Sequence, residues 1–115
     1  MSAITTHILD TSRGRPASGV LVVLEVRSND GDWKVIGHGM TDMDGRLKEL
    51  LPADTPLTAK ADYRITFDTG AYFSAQNIEN FYPEVAIVFT VREAQEHYHV
   101  PLLLNPYGYS TYRGS

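Results

Sequence analysis

The chain has 115 residues, no cysteine and a formal net charge of −4. This length fits a single domain, residues 1–115, that buries enough surface for a stable core. The lack of cysteine excludes disulfides, thiol nucleophiles and thiolate metal ligands, while dispersed basic residues and short apolar runs argue against nucleic-acid and membrane partners.

Apolar and polar residues alternate with a period of two along most of the chain, which predicts strands. In the second predicted strand, for example, the apolar side chains at positions 20, 22, 24 and 26 share one face. Such strands are typical of sheets with one buried face. In chain order the predicted strands are Ala3–Leu9, Gly19–Arg27, Trp33–Thr41, Asp62–Asp68, Val85–Arg92 and a segment from near Glu96 to Asn105.

Turn-forming sequences separate these strands, because Asn, Asp and Gly tolerate the backbone conformations of tight turns. One short helix is predicted at Thr69–Asn77, with Asp68 or Thr69 capping its start and Asn77 ending it. Many short strands with one brief helix predict an all-β fold, a two-sheet β-sandwich. The predicted turns and loops are Asn29–Asp32, Asp42–Gly45 and Leu51–Pro56.

Three histidines lie on the less apolar faces of their predicted strands. His7 shares a face with Thr5, opposite Ile4 and Ile8, and His97 and His99 project together, opposite the apolar positions 98, 100, 102 and 104. A surface role without chemistry is one interpretation. The spacing of the pair also suits an open zinc site completed by a third histidine, although no carboxylate accompanies it.

Arg46 directly follows the predicted turn Asp42–Gly45. This turn resembles the start of a calcium loop, but the remaining ligands are missing and strands rather than helices flank it, so a plain turn is favoured. An arginine at the rim of a sheet is often only solvated. It is equally able to clamp an anion or a polar heterocycle.

The chain finishes with HYHVPLLLNPYGYSTYRGS, which is dense in aromatic and hydrogen-bonding groups for a terminus. We therefore expect this end to be docked rather than frayed. Ser115 lacks the elbow motif of a serine nucleophile, so hydrogen bonding suits it better. The tyrosines at 107, 109 and 112 are explained as packing groups. Residue chemistry alone thus indicates a β-sandwich with a polar His–Arg site, and no particular reaction.

The ending STYRGS after HYHVPLLL resembles the signature of the 5-hydroxyisourate hydrolases, transthyretin-related enzymes of urate breakdown. The segments ITTHILDTSRGRPASGV, TDMDGR and ENFYPEV resemble other motifs of that family, so the likeness spans nearly the whole chain. Asn105 is a departure, since the family often has serine there. The resemblance implies a transthyretin-like sandwich of about eight strands with one short helix, assembled as a homotetramer of two dimers.

The resemblance also implies the site and the reaction. The expected reaction is hydrolysis of 5-hydroxyisourate to 2-oxo-4-hydroxy-4-carboxy-5-ureidoimidazoline, without metal or cofactor, at sites between dimers. His99, rather than His97, matches the family by its distance from the chain end. The implied catalytic residues are His7, Arg46, His99 and Ser115, and the implied substrate-binding residues are His7, Arg46, Tyr112, Arg113, Gly114 and Ser115.

The alternative is a small-ligand carrier, like the transthyretin hormone carriers that share this fold. A carrier of an apolar hormone needs an apolar channel, whereas the implied residues here are hydrophilic. The amino terminus lacks the pattern of a signal peptide and the chain end lacks a Ser-Lys-Leu address, so we expect a cytoplasmic protein.

Overall fold

A computed structural model describes residues 2–115, which form nine strands and one helix. Most strands are seven or eight residues long, but two contain only two residues each. The elements are β1 Ile4–Asp10, β2 Arg15–Pro16, β3 Leu21–Arg27, β4 Trp33–Met40, β5 Arg46–Leu47, β6 Ala61–Phe67, α1 Thr69–Ser74, β7 Val85–Val91, β8 Tyr98–Asn105 and β9 Gly108–Thr111.

The strands form two sheets that pack face to face. One sheet has the order β2-β1-β8-β9, with β5 also paired to β1, and the other has the order β4-β3-β6-β7. β1 and β8 are parallel, and the other pairs are antiparallel. The inner faces interdigitate to form the core, as expected for a sandwich. Its largest fully buried side chains include Tyr63, Phe67, Phe73, Ile4, Ile8, Leu24 and Leu102.

The predicted all-β sandwich is confirmed, with nine strands where about eight were expected. The alternating faces also agree with the sequence, since the side chains at 20, 22, 24, 63, 65 and 67 are all buried. The two glycines of β4 have a packing reason. A side chain at Gly37 would collide with the backbone carbonyl of Leu50, and one at Gly39 would lie 2.9 Å from Leu47 Cδ1.

The helix is shorter than predicted, because α1 ends at Ser74 and a turn carries the chain to Asn77. Asn77 has φ 58°, and the amides of Asn77 and Ile78 bond the carbonyls of Ser74 and Phe73. This is the left-handed ending that asparagine tolerates. The predicted cap is not made, since the Asp68 side chain forms no capping hydrogen bond.

The helix is held against the sheet by a buried carboxylate. Asp10 is fully buried, and it accepts hydrogen bonds from the Tyr72 hydroxyl at 2.8 Å and from the Ser12 amide at 3.1 Å. Six residues are too few for a helix to be stable alone, so these contacts fix α1 in place. Within residues 2–115 no helix is long and apolar enough to span a membrane.

Candidate active site

The register of β1 brings the predicted catalytic residues together. Across the antiparallel β1–β5 pair, His7 lies directly opposite Arg46. Across the parallel β1–β8 pair, Thr5 lies opposite His99. Residues i and i+2 of a strand share a face, as do register partners, so Thr5, His7, Arg46 and His99 project from the same side of the sheet. That side is opposite the core, as the sequence predicted.

The turn before β5 fixes the position of Arg46. The Asp42 carboxylate accepts hydrogen bonds from the backbone amides of Arg46 and Asp44, both at 2.9 Å. Both bonds lower the pKa of Asp42, and the bond from the Arg46 amide has the larger effect. Gly45 has φ +74° and lies where a side chain would meet the Ile8 carbonyl at 2.5 Å. The predicted turn is therefore confirmed, and it carries Arg46 to the centre of β1.

The surroundings of His99 favour an uncharged imidazole. Burial is the largest cause that lowers its pKa, followed by the positive charge of Arg46 and then by His97 and His7. Contact with the Thr5 backbone acts in the opposite direction. Burial and a nearby cation both penalise the imidazolium. The lowered pKa favours the neutral form of His99, which suits it to accept a proton.

The Thr5 hydroxyl contacts two imidazoles. Its Oγ1 is 2.9 Å from His99 Nδ1 and 3.1 Å from His97 Nε2. β8 begins at Tyr98 rather than near Glu96, yet His97 still reaches the same side as His99, as predicted. Thr5 was not among the site residues predicted from the sequence. Its position two residues before His7, on the same face, was the signal that pointed to it.

The carboxyl terminus is docked against His99. β9 pairs with β8, and beyond it Gly114 lies opposite His99 and donates its amide to the His99 carbonyl at 2.8 Å. A side chain at Gly114 would lie 2.6 Å from His99 Cδ2, so the glycine lets the terminus pass against the imidazole. The prediction of a docked end is confirmed up to Gly114.

The other terminal residues lie differently. The Arg113 guanidinium lies 4.5 Å from the centre of the Tyr98 ring and 2.8 Å from Glu96 Oε1. Since Tyr98 faces the core, Arg113 points to the opposite side of the sheet from His99 within this chain. Tyr112 is 58% exposed, and Ser115 is exposed at the chain end.

A crevice of 490 Å³ opens between the edges of the two sheets, beside β7 and β9. Its walls include Ile87, Phe89, Val100 and Arg113, and His99 also lines it. The crevice therefore reaches the site at His99, whereas His7 and Arg46 are not among its lining residues. Among residues 2–115, no group of three or more histidines and acids could hold a metal ion.

The fold and this site define a class of protein: a two-sheet β-sandwich with histidines and an arginine on the outer face of one sheet. A family model described as "HIUase/Transthyretin family" matches residues 4–114. The chain therefore belongs to that family.

Proteins similar to this chain include 5-hydroxyisourate hydrolases and a transthyretin. A 5-hydroxyisourate hydrolase of Salmonella dublin is 49% identical over 97% of this chain and 80% of its own length. A 5-hydroxyisourate hydrolase of Mus musculus is 41% identical over 99% of this chain and 96% of its own. Sea bream transthyretin, solved in complex with thyroxine, has a TM-score of 0.90 and 32% identity over 98% of this chain and 95% of its own. The transthyretin-like fold is thus confirmed.

Proposed function

We propose that this protein hydrolyses 5-hydroxyisourate to 2-oxo-4-hydroxy-4-carboxy-5-ureidoimidazoline in urate breakdown. The observation that carries this proposal is that His7, Arg46 and His99 lie on one face of the sheet, where the docked terminus contacts His99. Relatives that are 41–49% identical over nearly the whole chain are named for this activity, which supports the same assignment.

The proposed reaction is general-base hydrolysis without a metal or a covalent intermediate. A neutral histidine, His7 or His99, takes one proton from water while the water oxygen bonds to a ring carbonyl carbon. The ring C–N bond then breaks, and the departing nitrogen receives the proton taken from water, either directly from the imidazolium just formed or passed through the other imidazole. Such proton transfer contributes roughly 10²–10⁴-fold, and the lowered pKa of His99 keeps it unprotonated near neutral pH.

Arg46 is assigned to the developing negative charge. When water adds to a carbonyl, the carbonyl oxygen becomes an oxyanion, and a fixed cation stabilises it more than it stabilises the neutral substrate. The Asp42 bonds to the backbone of the turn support this role, because they hold Arg46 in register with His7. Arg46 also suits the substrate's carbonyl oxygens as a hydrogen-bond donor.

The terminal segment is proposed to bind substrate and water. Gly114 lies opposite His99, and Tyr112 and Ser115 lie within two residues of Gly114 in the chain. Ser115 would help to orient the attacking water. For Arg113 the prediction of substrate binding rests on the family resemblance. Its contacts with Glu96 and Tyr98 support an additional role in anchoring the terminus.

The proposed assembly is a homotetramer of two dimers, with sites between the dimers. Two observations support it: within residues 2–115, β7 and β9 end their sheets with unpaired edges, and the His–Arg face is only half-buried in one chain. Unpaired strand edges commonly serve for association. A cytoplasmic location stays a prediction that cell fractionation would test.

The alternative function is a small-ligand carrier, because the sea bream structure with thyroxine has the same fold. The cluster of imidazoles and a guanidinium supports the enzyme instead, since an apolar hormone gains little from such a lining. Fold alone does not choose between the two.

An ultraviolet time course tests the proposal. Freshly generated 5-hydroxyisourate is followed with and without the protein, and we expect the protein to accelerate its decay in proportion to enzyme concentration. A thyroxine titration of the same sample is the matched measurement for the carrier. Unchanged substrate decay together with saturable thyroxine binding would reject the enzyme in favour of the carrier.

A further inference from the structure

Thr5 lies between two histidines and is hydrogen-bonded to both, through His99 Nδ1 and His97 Nε2. Thr5 is only 5% exposed, whereas His97 is exposed and His99 is half-buried. Of the histidines in residues 2–115, these two alone have a ring nitrogen in a hydrogen bond within the chain. A hydroxyl shielded from water thus joins the site histidine to a histidine at the surface.

Because this hydroxyl has a single proton, it restricts which ring nitrogens of His97 and His99 can carry protons. A threonine hydroxyl has one proton, so it donates to one nitrogen and accepts from the other. If His97 Nε2 is bare, Thr5 donates to it and accepts from His99 Nδ1–H, which leaves His99 Nε2 as a lone pair. If His97 Nε2 carries a proton, Thr5 donates to His99 Nδ1, and a neutral His99 then holds its proton on Nε2.

We propose that Thr5 and His97 are positioning residues that set which nitrogen of His99 carries the proton. This inference rests on the proposed function and deepens it, because it assigns His99 Nε2 as the atom that takes the proton from water. Only the arrangement with a bare His97 Nε2 supplies that lone pair. When His97 Nε2 holds a proton, the Thr5 hydroxyl donates to His99 Nδ1 instead and the lone pair on His99 Nε2 is lost, so turnover depends on the surface histidine.

The other charged and titratable groups near His99 do not choose between its two nitrogens. Arg46 of β5 and His7 of β1 act on His99 through their charge, which opposes the imidazolium in either arrangement. Glu96, the acid next to His97 in the chain, is 2.8 Å from Arg113. His99 also has a contact with the Thr5 backbone, which every Thr5 side-chain variant retains, so these variants isolate the effect of the shared hydroxyl on Nδ1 and Nε2.

Three substitutions separate the two arrangements. Thr5→Val removes the hydroxyl at nearly constant shape. His97→Leu removes the acceptor, so Thr5 donates to His99 Nδ1 and fixes the proton on Nε2. His97→Gln supplies an uncharged amide oxygen that still accepts from Thr5.

We expect Thr5→Val and His97→Leu to lower kcat about 10²-fold at neutral pH, the lower range of a general base's contribution. Thr5→Ser restores the hydroxyl and the rate. His97→Gln keeps most of the activity, because its amide oxygen still accepts the hydrogen bond from Thr5.

A two-bond ¹H–¹⁵N NMR correlation of the imidazoles shows which ring nitrogen carries the proton, and it needs no substrate. We expect Nδ1–H for His99 in the free wild-type protein and Nε2–H in His97→Leu. Thr6→Val is the matched control, since the neighbouring Thr6 hydroxyl donates to the Val100 carbonyl at 2.6 Å and contacts neither histidine. It should leave the His99 proton and the pH profile unchanged.

The inference is overturned if wild-type His99 carries its proton on Nε2, or if Thr5→Val and His97→Leu keep the wild-type rate and pH profile. If the wild-type protein hydrolyses the substrate, those results refute the positioning role of Thr5 and His97 and leave the hydrolase assignment unaffected. A wild-type protein that does not hydrolyse the substrate refutes the proposed function, while the NMR spectra still decide how Thr5 couples the two rings.

Discussion

His99 and Arg46 place an imidazole with a lowered pKa beside a cation. Burial disfavours charge on the imidazole, and the neighbouring guanidinium adds to that effect. An imidazole kept neutral in this way stays able to accept a proton at a pH where an exposed one is partly protonated. In the proposed reaction the same guanidinium would stabilise the oxyanion, so the two residues would serve one step in different ways.

The pKa of His99 is therefore expected to lie below its usual value near 6.5 in the folded protein. Replacing Arg46 with Gln removes the charge and should raise that pKa part of the way back, since burial remains. An NMR titration of the imidazole measures both values, with the exposed His38 of β4 as an internal reference. An unchanged His99 pKa in the Arg46→Gln protein would contradict the proposed influence of the cation.

The lowered pKa has a consequence for stability. Between 6.5 and the lower value in the folded state, the unfolded chain binds more protons at this site than the folded one does, so the free energy of unfolding falls as the pH falls through that window. Urea denaturation at several pH values measures the slope. The contribution of His99 to this slope should be smaller in the Arg46→Gln protein, because the folded and unfolded pKa values of His99 then lie closer together.

Replacing His99 with Asn should abolish turnover while the fold and the assembly persist. The amide has no basic nitrogen, so the rate should fall by about 10²-fold or more, whereas the partly exposed position tolerates a smaller polar group. Steady-state kinetics, circular dichroism and size-exclusion chromatography measure the three properties. His38→Asn, the same change on the other sheet, is the control and should keep its activity. A fully active His99→Asn enzyme would refute the assignment of His99.

At the scale of elements, short segments at the edges of strands hold the site. β5 contains two residues and β9 four, yet one carries Arg46 to His7 and the other leads Gly114 to His99. Neither segment has enough length to show a period of two. Their positions depend on backbone hydrogen bonds to β1 and β8, so a small local change there should move catalytic groups without unfolding the sandwich.

Asp42→Ala tests the turn before β5. Loss of the carboxylate frees the amides of Asp44 and Arg46, so Arg46 should lose its fixed position and kcat/KM should fall about tenfold, within the range of removing a second-sphere support. Asp30→Ala is the matched control, because Asp30 accepts a similar bond from the Asp32 amide in a hairpin of the other sheet. Equal activity of the two variants would show that the Asp42 side chain is not needed for catalysis.

Gly114→Ala tests the docking of the terminus. The added methyl would lie 2.6 Å from His99 Cδ2 and 3.1 Å from Pro101 Cγ, so either the imidazole or the terminus must move. We expect a loss of kcat with an unchanged circular dichroism spectrum. Gly108→Ala makes the same change where the nearest atoms are 3.7 Å away, and it should behave like wild type. Wild-type kcat in Gly114→Ala would show that this contact is not needed.

The longer elements were readable from the sequence because period-two alternation records which face of a strand is buried. The pairing of strands was not. The parallel contact of β1 with β8 joins residues more than ninety positions apart, and nothing in local alternation specifies it. His7, Arg46 and His99 were each identified as candidates, and the family resemblance grouped them. Their common face follows from the register, which also explains why Thr5 was missed: a threonine in a strand is ordinarily a β-former.

At the scale of the whole molecule, the His–Arg face carries apolar residues that one chain covers only in part. Leu9 and Leu103 are register partners on this face, and both are half-buried. Apolar side chains beside a polar site, on the outer side of a sheet, are typical of a surface that a second subunit covers. The proposed sites between dimers would use this surface.

Leu103→Glu should therefore separate the subunits and lower the activity together. A charge on a covered apolar surface is costly, whereas the inner face of β8, and with it the fold, is untouched. Sedimentation measures the assembly, and the rate per subunit is followed as the protein is diluted. Val35→Glu, at a position 55% exposed on β4 of the other sheet, is the matched control and should keep both assembly and rate. A dissociated Leu103→Glu protein with full activity would mean that one chain holds the complete site, and the interface would then have no part in the chemistry.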